Sequence, residues 1–212
     1  VLSKFAARGS EDDVYRVMTS APNTTLRTTP PIPDVDGRVL ANAGDAVEFI
    51  YRGDFVVSAD NPISVGQFMV GSFYPGFPTC TPSQGGGCAI PVSELCPLGA
   101  TTFKRIGDPA FLLPSASSQF RRDYTFLVPE GYLRNQNYVG VVLPTGASVV
   151  LDGAVPTDAP APIAGTPWQV LRLSVEPGTH SISSTQPFGL SVYGYGCDVS
   201  YAYPGGLDLG EP

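Results

Sequence analysis

The chain has 212 residues with 12 basic against 19 acidic side chains, a formal net charge of −7 and a pI near 4.5, so it lacks the basic footprint that a phosphate backbone requires, which argues against nucleic acid as a partner. Only 15% of residues are charged while glycine and proline number 24 and 22, a composition of short ordered pieces punctuated by turns rather than of long surface helices. A hydrophobic share of 42% argues against disorder, and the length suits one large all-β domain or two of about 100 residues.

No run reaches the roughly 18 apolar residues of a membrane span, and the opening "VLSKFAARGS" lacks the apolar core of a signal peptide. The chain starts without methionine and passes straight into strand-like sequence, as expected for a mature or excised piece of a longer precursor. In chain order, a V-x-x-V strand at Val14 to Val17 leads to "PDVDG" (33 to 37), which has the outline of a calcium loop without its later ligands or closing Glu and is expected to be a turn ending at Gly37. "DAVEFIY" (45 to 51), "DFVVSA" (54 to 59) and "SVGQFMVGSF" (64 to 73) follow as β-branched or aromatic runs, separated by "YRGD" and "ADNP". They are strands by length and composition. Arg52-Gly53-Asp54 spells the tripeptide that integrins read, but Gly53 is the turn between two of these strands, and that role is the one expected. Asn23-Thr24-Thr25 satisfies the glycosylation pattern, which only a eukaryotic secretory host would use.

Four cysteines, Cys80, Cys88, Cys96 and Cys197, form an even set with no C-x-x-C pair, which favours two disulfides over a zinc site and places the chain outside the cytoplasm. Cys80 and Cys88 bracket the short loop "TPSQGGG", so Cys80 with Cys88 and Cys96 with Cys197 is the preferred of three connectivities. Beyond them, "DYTFLVP" (123 to 129), "YVGVVLP" (138 to 144), "ASVVLDG" (147 to 153) and "WQVLRLSV" (168 to 175) continue the series of strands, with the Arg121-Arg122 doublet flanking the first. Strands at intervals of about ten residues indicate a sandwich or barrel.

His180 is the one histidine, with no G-x-S-x-G elbow to supply a nucleophile and no second histidine for a metal pair, so it is expected to be structural. No catalytic, cofactor or metal residues are assigned. In "FGLSVYGYG" (188 to 196) the alternation puts Phe188, Leu190, Val192 and Gly194 on one face, the core, and Gly189, Ser191, Tyr193 and Tyr195 on the other, expected to pack under a second layer. Tyr201 and Tyr203 share a face of the strand that follows, and Trp168 is expected to anchor a core.

Shifting residues 14 to 71 by 125 positions lays Val14 on Val139, Val17 on Val142, Leu26 on Leu151, Gly53 on Gly178, Ser58 on Ser183, Pro62 on Pro187 and Gly71 on Gly196. Each half then runs strand, hairpin, long connection, strand, turn, strand, polar turn closed by proline, strand. The expected architecture is all-β, two related antiparallel β-sandwich or jelly-roll-like units at 1–78 and 119–212, joined by a cysteine-bearing segment at 79–118.

"GDPAFLLPSASSQFRRDYTFLVPEGY" (107 to 132), "GASVVLDG" (146 to 153), "GTHSI" (178 to 182) and "PFGLSVYGYGCDVSYAYPGGLDL" (187 to 209) resemble the IgGFc-binding protein N-terminal domain family. The resemblance is fullest from about residue 105 to 209 and extends to "VYRV" and "ADNPISVGQFMVG" in the first half. It implies the later portion of a longer module and an extracellular adhesive or binding role without catalytic apparatus, with no mapped set of IgG-contacting residues. Cys197 departs from the family pattern and fits an added disulfide. The partner expected on this reading is a protein or glycan at a cell surface or in an extracellular matrix, and no cofactor is expected. Two other classes stand beside it. One is a structural spacer or surface-assembly subunit; the other is a carbohydrate-binding sandwich, which would need an exposed row drawn from Tyr193, Tyr195, Tyr201, Tyr203 and Trp168.

Overall fold

The computed structural model describes residues 1–5, 12–71, 107–132, 136–196 and 199–209. In chain order the strands are β1 (Asp13–Thr19), β2 (Thr24–Thr29), β3 (Val39–Leu40), β4 (Ala46–Tyr51), β5 (Val56–Ala59), β6 (Ile63–Met69) and β7 (Ala110–Leu112), followed by β8 (Arg121–Val128), β9 (Asn137–Pro144), β10 (Val149–Leu151), β11 (Ala161–Pro162), β12 (Trp168–Ser174), β13 (Gly178–Gly196) and β14 (Val199–Pro204). One short 3₁₀ turn, Ser117–Gln119, precedes β8. Among the described residues the fold is all-β and antiparallel, a sandwich with no closed barrel.

The first half packs a four-stranded sheet, β4-β1-β6-β7, against a three-stranded one, β3-β2-β5. Period-two alternation sends Asp13, Tyr15, Val17 and Thr19 of β1 inward and leaves Val14, Arg16 and Met18 outward. Tyr15, Val17, Leu26, Ile32, Val35, Leu40, Val47 and Phe55 fill the space between the sheets, with Leu2 of the N-terminal segment. Phe55 sits at the centre, its ring meeting Tyr15 at 4.9 Å and Tyr51 at 5.4 Å in edge-on geometry. β2 belongs to the hairpin expected after the first strand but was not among the strands read from composition, since Thr24, Leu26 and Thr28 face inward and only Leu26 is a large apolar residue. "PDVDG" is the expected turn, closing with Gly37 at φ +79°. β7 lies within the segment 79–118 and adds to the edge of the first sheet.

The second half is built around β13. Its first part pairs with β8 and β10, its second part with β9 and β14, and β9 continues to β12 and β11. The two parts face each other across a core of Tyr124, Phe126, Val128, Val139, Val141, Leu143, Val149, Leu171, Leu173, Ile182, Phe188, Leu190 and Val192. The expected break, a polar turn closed by proline, is corrected by the structure: β13 runs unbroken for 19 residues. The ladder to β8 slips between Ser183 and Phe188, and Pro187 stands in that unpaired interval, where its missing N–H forfeits no ladder bond. Tyr124 pins the irregularity by donating its hydroxyl to the Phe188 carbonyl at 2.5 Å.

The pairing order recurs. β4-β1-β6-β7 has the connectivity of β12-β9-β13-β14, and β2-β5 that of β10-β13. The registers nevertheless differ from a constant shift of 125. Tyr15 pairs Gln67 and Val139 pairs Val192, so with Gln67 laid on Val192 the counterpart of Tyr15 is Val139, one residue short of the shift. By the same argument Leu26 corresponds to Val149, two residues short. The shift itself laid Val14, which faces outward, on Val139, which is fully buried. The identities of Val14 with Val139 and Val17 with Val142 therefore compare opposite faces, and Pro62 lies between β5 and β6 whereas Pro187 lies within β13.

Residues 1–5 tie the two halves together. Leu2 and Phe55 exchange backbone hydrogen bonds at 2.8 and 3.1 Å, Arg172 of β12 donates to the Lys4 carbonyl at 3.0 Å, and Phe5 meets the ring of Tyr193 edge-on at 4.9 Å.

Candidate binding surface

The five aromatics singled out in sequence occupy three environments. Tyr193 and Tyr195 are each 1% exposed. They lie on the outward side of the second sheet, as the alternation indicated, but Phe5, Met69 and Leu112 from the first half cover them. Rings so placed present no face to a ligand. Tyr201 and Tyr203 are half-buried, stacked at 6.2 Å with Tyr132 edge-on to the first at 4.6 Å. Their hydroxyls donate to Asn137 Oδ1 at 2.9 Å and to the Leu127 carbonyl, and burial pushes both phenols above their ordinary range. Trp168 is half-buried edge-on to Phe120 at 5.7 Å, on a cluster with Val142, Ile163 and Val170.

The tripeptide at 52–54 is committed to internal contacts. Arg52 pairs with Asp12 at 2.7 Å, while Asp54 accepts the Lys4 N–H at 2.8 Å and pairs with Arg172. Beside it lies a buried polar cluster that sequence reasoning missed. Asp13 is 2% exposed, and one of its oxygens accepts from the Phe5 N–H at 2.8 Å, from Gln67 Nε2 at 2.9 Å and from the Tyr15 hydroxyl at 3.3 Å. Burial raises its pKa to about 6 against the pull of those donors. The signal was the acidic residue on the inward parity of β1, legible only once the face was known.

His180 lies in β13 with Nδ1 at 2.6 Å from Asp152 Oδ2 and Nε2 at 2.7 Å from the Glu176 carbonyl, its ring stacked on Phe126. Both ring nitrogens are engaged by groups of the protein itself. Burial pushes the Asp152 carboxyl up, and the hydrogen bonds from His180 and the Ser181 N–H outweigh it, leaving it below its ordinary value. Among the described residues no group of three His, Cys, Asp or Glu side chains is placed to hold a metal ion. Among the described residues no helix is long and apolar enough to cross a membrane. The cysteines Cys80, Cys88, Cys96 and Cys197, and so both proposed disulfides, lie outside the described residues.

An unexpected surface is the outer face of β4-β1-β6-β7. Ile50, Val14, Phe68 and Phe111, one from each strand, are direct neighbours in the ladders and form an apolar row across the whole sheet. Ile50 is 55% and Phe111 50% exposed. Phe111 lies across β6 over Gly66, where a Cβ would come within 2.8 Å of its ring. Phe68 and Phe111 meet at 4.9 Å, Arg16 sits 6.0 Å above the Phe68 ring, and Glu48 pairs with Arg16 at 2.6 Å. The matching row of the second sheet, Ser174, Tyr138, Tyr193 and Ala202, is the one the first half covers.

No curated protein and no solved structure matches the chain. The family model described as IgGFc binding protein matches residues 1–194, taking in the first half as fully as most of the second, and the chain belongs to that family.

Proposed function

We propose that the chain is a non-enzymatic extracellular binding module of a larger secreted or surface protein, and that it meets a protein partner through the outer face of β4-β1-β6-β7. The observation that carries this reading is the apolar row Ile50, Val14, Phe68 and Phe111, exposed at its two ends and partly buried in the middle, with Arg16 and Glu48 on it. An aromatic and aliphatic centre with an arginine beside it has the composition of an interface rather than of ordinary solvated surface. The same row on the second sheet packs against protein within the chain itself. A spacer has no use for such a row left in water. The burial of Tyr193 and Tyr195 favours a protein partner over a glycan. Family membership supports the binding role. The extracellular placement rests on the family and on reading Cys80 with Cys88 and Cys96 with Cys197 as disulfides. The recurring strand order supports reading the chain as two related units, 1–78 and 119–212, joined by 79–118.

The test is biolayer interferometry of the purified chain on immobilised IgG Fc, beside the Ile50→Ser and Phe111→Ser variants. Both positions are half in water, so the fold should be little changed, within about 0.5 kcal/mol for ordinary surface sites. The reading expects binding by the native chain and a loss of about tenfold or more in each variant. Binding untouched by both variants removes the face from the mechanism, and no binding to Fc removes Fc as the partner of this face.

A further inference from the structure

The two halves differ at the edge of β4. Its counterpart in the second half is β12, since Phe49 pairs with Tyr15 as Leu173 pairs with Val139. β12 carries a further strand, β11, on its far side, whereas among the described residues β4 pairs with β1 alone. The inward side chains follow the same contrast. Leu173 and Val175 are buried, while Phe49 and Tyr51, which hold the equivalent positions, pack against the first core and are only partly buried. The backbone of this edge is open as well. Thr19 donates to the Asp45 carbonyl at 3.1 Å and accepts from the Gly44 N–H at 2.9 Å, so Thr19, Val17 and Tyr15 turn their backbone groups toward β4. Val47 and Phe49 answer them, and alternation turns the N–H and C=O of Ala46, Glu48 and Ile50 to the far side. All three of these residues are exposed. The strand reads Ala-Val-Glu-Phe-Ile-Tyr, with neither glycine nor proline. Edges that stay unpaired are guarded by charges or proline; the one charge here is Glu48, and Arg16 pairs with it at 2.6 Å.

We propose that β4 is the pairing edge of a two-fold dimer, in which β4 of a second copy of the chain runs antiparallel beside it, with Phe49 opposite Phe49 and Glu48 opposite Ile50 of the other copy. The occupant is a second copy because the edge is complementary to itself in this register. Hydrogen-bonded pairs must join residues whose backbone groups face the edge, which are Ala46, Glu48 and Ile50. Of the two such two-fold registers that overlap most of the strand, the one centred on Glu48 sets like charges directly opposite, which is unfavourable. The one centred on Phe49 lets Glu48 and Ile50 exchange backbone hydrogen bonds, brings the two Phe49 rings together at the axis and sets each Val47 opposite a Tyr51, an aromatic with a β-branched residue. Phe49 and Tyr51 thereby gain the cover that Leu173 and Val175 already have. The pairing uses the strand edge and leaves the outer face of β4-β1-β6-β7 open in both copies, so it goes beyond the role proposed for that face.

The test is sedimentation velocity of the full chain at rising concentration, beside the Ile50→Glu and Ile50→Lys variants. The edge is short, so the dimer should be weak, with a Kd between about 10 μM and 1 mM, and the average mass should climb from that of one chain toward that of two. Both variants remove the same apolar side chain from a half-exposed site. Glutamate at position 50 meets Glu48 of the other copy and repels it, whereas lysine there attracts it. Kd should therefore be about tenfold tighter for Ile50→Lys than for Ile50→Glu, a gap that narrows in high salt. Amide hydrogen exchange should show Glu48 and Ile50 gaining protection with concentration while Val47 and Phe49, already bonded to β1, do not. A chain that stays monomeric to about 1 mM overturns the proposal. Equal association by the two variants, or no added protection at Glu48 and Ile50, overturns it too, by removing the edge from the contact. The masses are measured without Fc, so the outcome is separate from that of Fc binding.

Discussion

Replacing Asp13 by asparagine tests whether the buried cluster between the N-terminal segment and β1 carries an ionisable cost. Burial raises the carboxyl from its ordinary 3.8 to about 6, so the folded protein holds this proton more tightly than the unfolded chain does. The group's favourable contribution is then fully present below pH 4 and is lost as pH rises through about 6. About two pKa units correspond to about 3 kcal/mol, the most that this residue can take from stability on going from pH 4 to 7. Asparagine keeps an oxygen for the Phe5 N–H and Gln67 and has no charge to desolvate. The counterpart of Asp13 in β9 is Asn137, itself fully buried with its side-chain oxygen accepting from Tyr201. Urea unfolding of the native chain and Asp13→Asn at half-unit intervals from pH 4 to 8 isolates the effect, since other titrating groups cancel in the difference. The variant should gain on the native protein by up to about 3 kcal/mol across this window, most of it between pH 4 and 6. A difference that stays flat with pH, or that favours the native chain more as pH rises, refutes the reasoning.

The remaining predictions concern the second core and the cysteines. Phe188 is fully buried with its ring edge-on to Tyr124 at 4.9 Å, so Phe188→Ala should cost about 3 to 5 kcal/mol in chemical denaturation; a loss below about 1 kcal/mol would show that the bulged part of β13 is not an anchor. Peptide mapping without reduction should find Cys80 linked to Cys88 and Cys96 to Cys197. Free thiols or another pairing in that map would remove the connectivity, and with it the stabilisation of about 2 to 5 kcal/mol expected of native disulfides.

What the chain's own residues determined is the fold class and the faces of its strands. Glycine and proline at short intervals between β-branched runs leave no length for helices, and in 188 to 196 the alternation alone separates Phe188, Leu190 and Val192 from Ser191, Tyr193 and Tyr195. Family membership was legible for the same reason, in turn and aromatic residues held at fixed spacing. Alternation cannot tell which of two faces a distant segment will cover. Tyr193 and Tyr195 were expected under a second layer, but only the packing identifies that layer as Phe5, Met69 and Leu112, whereas Phe111, with the composition of a core, stays half in water beside a partly buried Phe68. Register was equally out of reach: a slip of one residue reverses every side chain of a strand, and only the ladders reveal that Tyr15 rather than Val14 answers to Val139. β2 was not legible from composition because threonines can fill an inward face once other elements bring the core to them. These outcomes depend on contacts between residues far apart in the chain, which the local pattern of either partner does not encode.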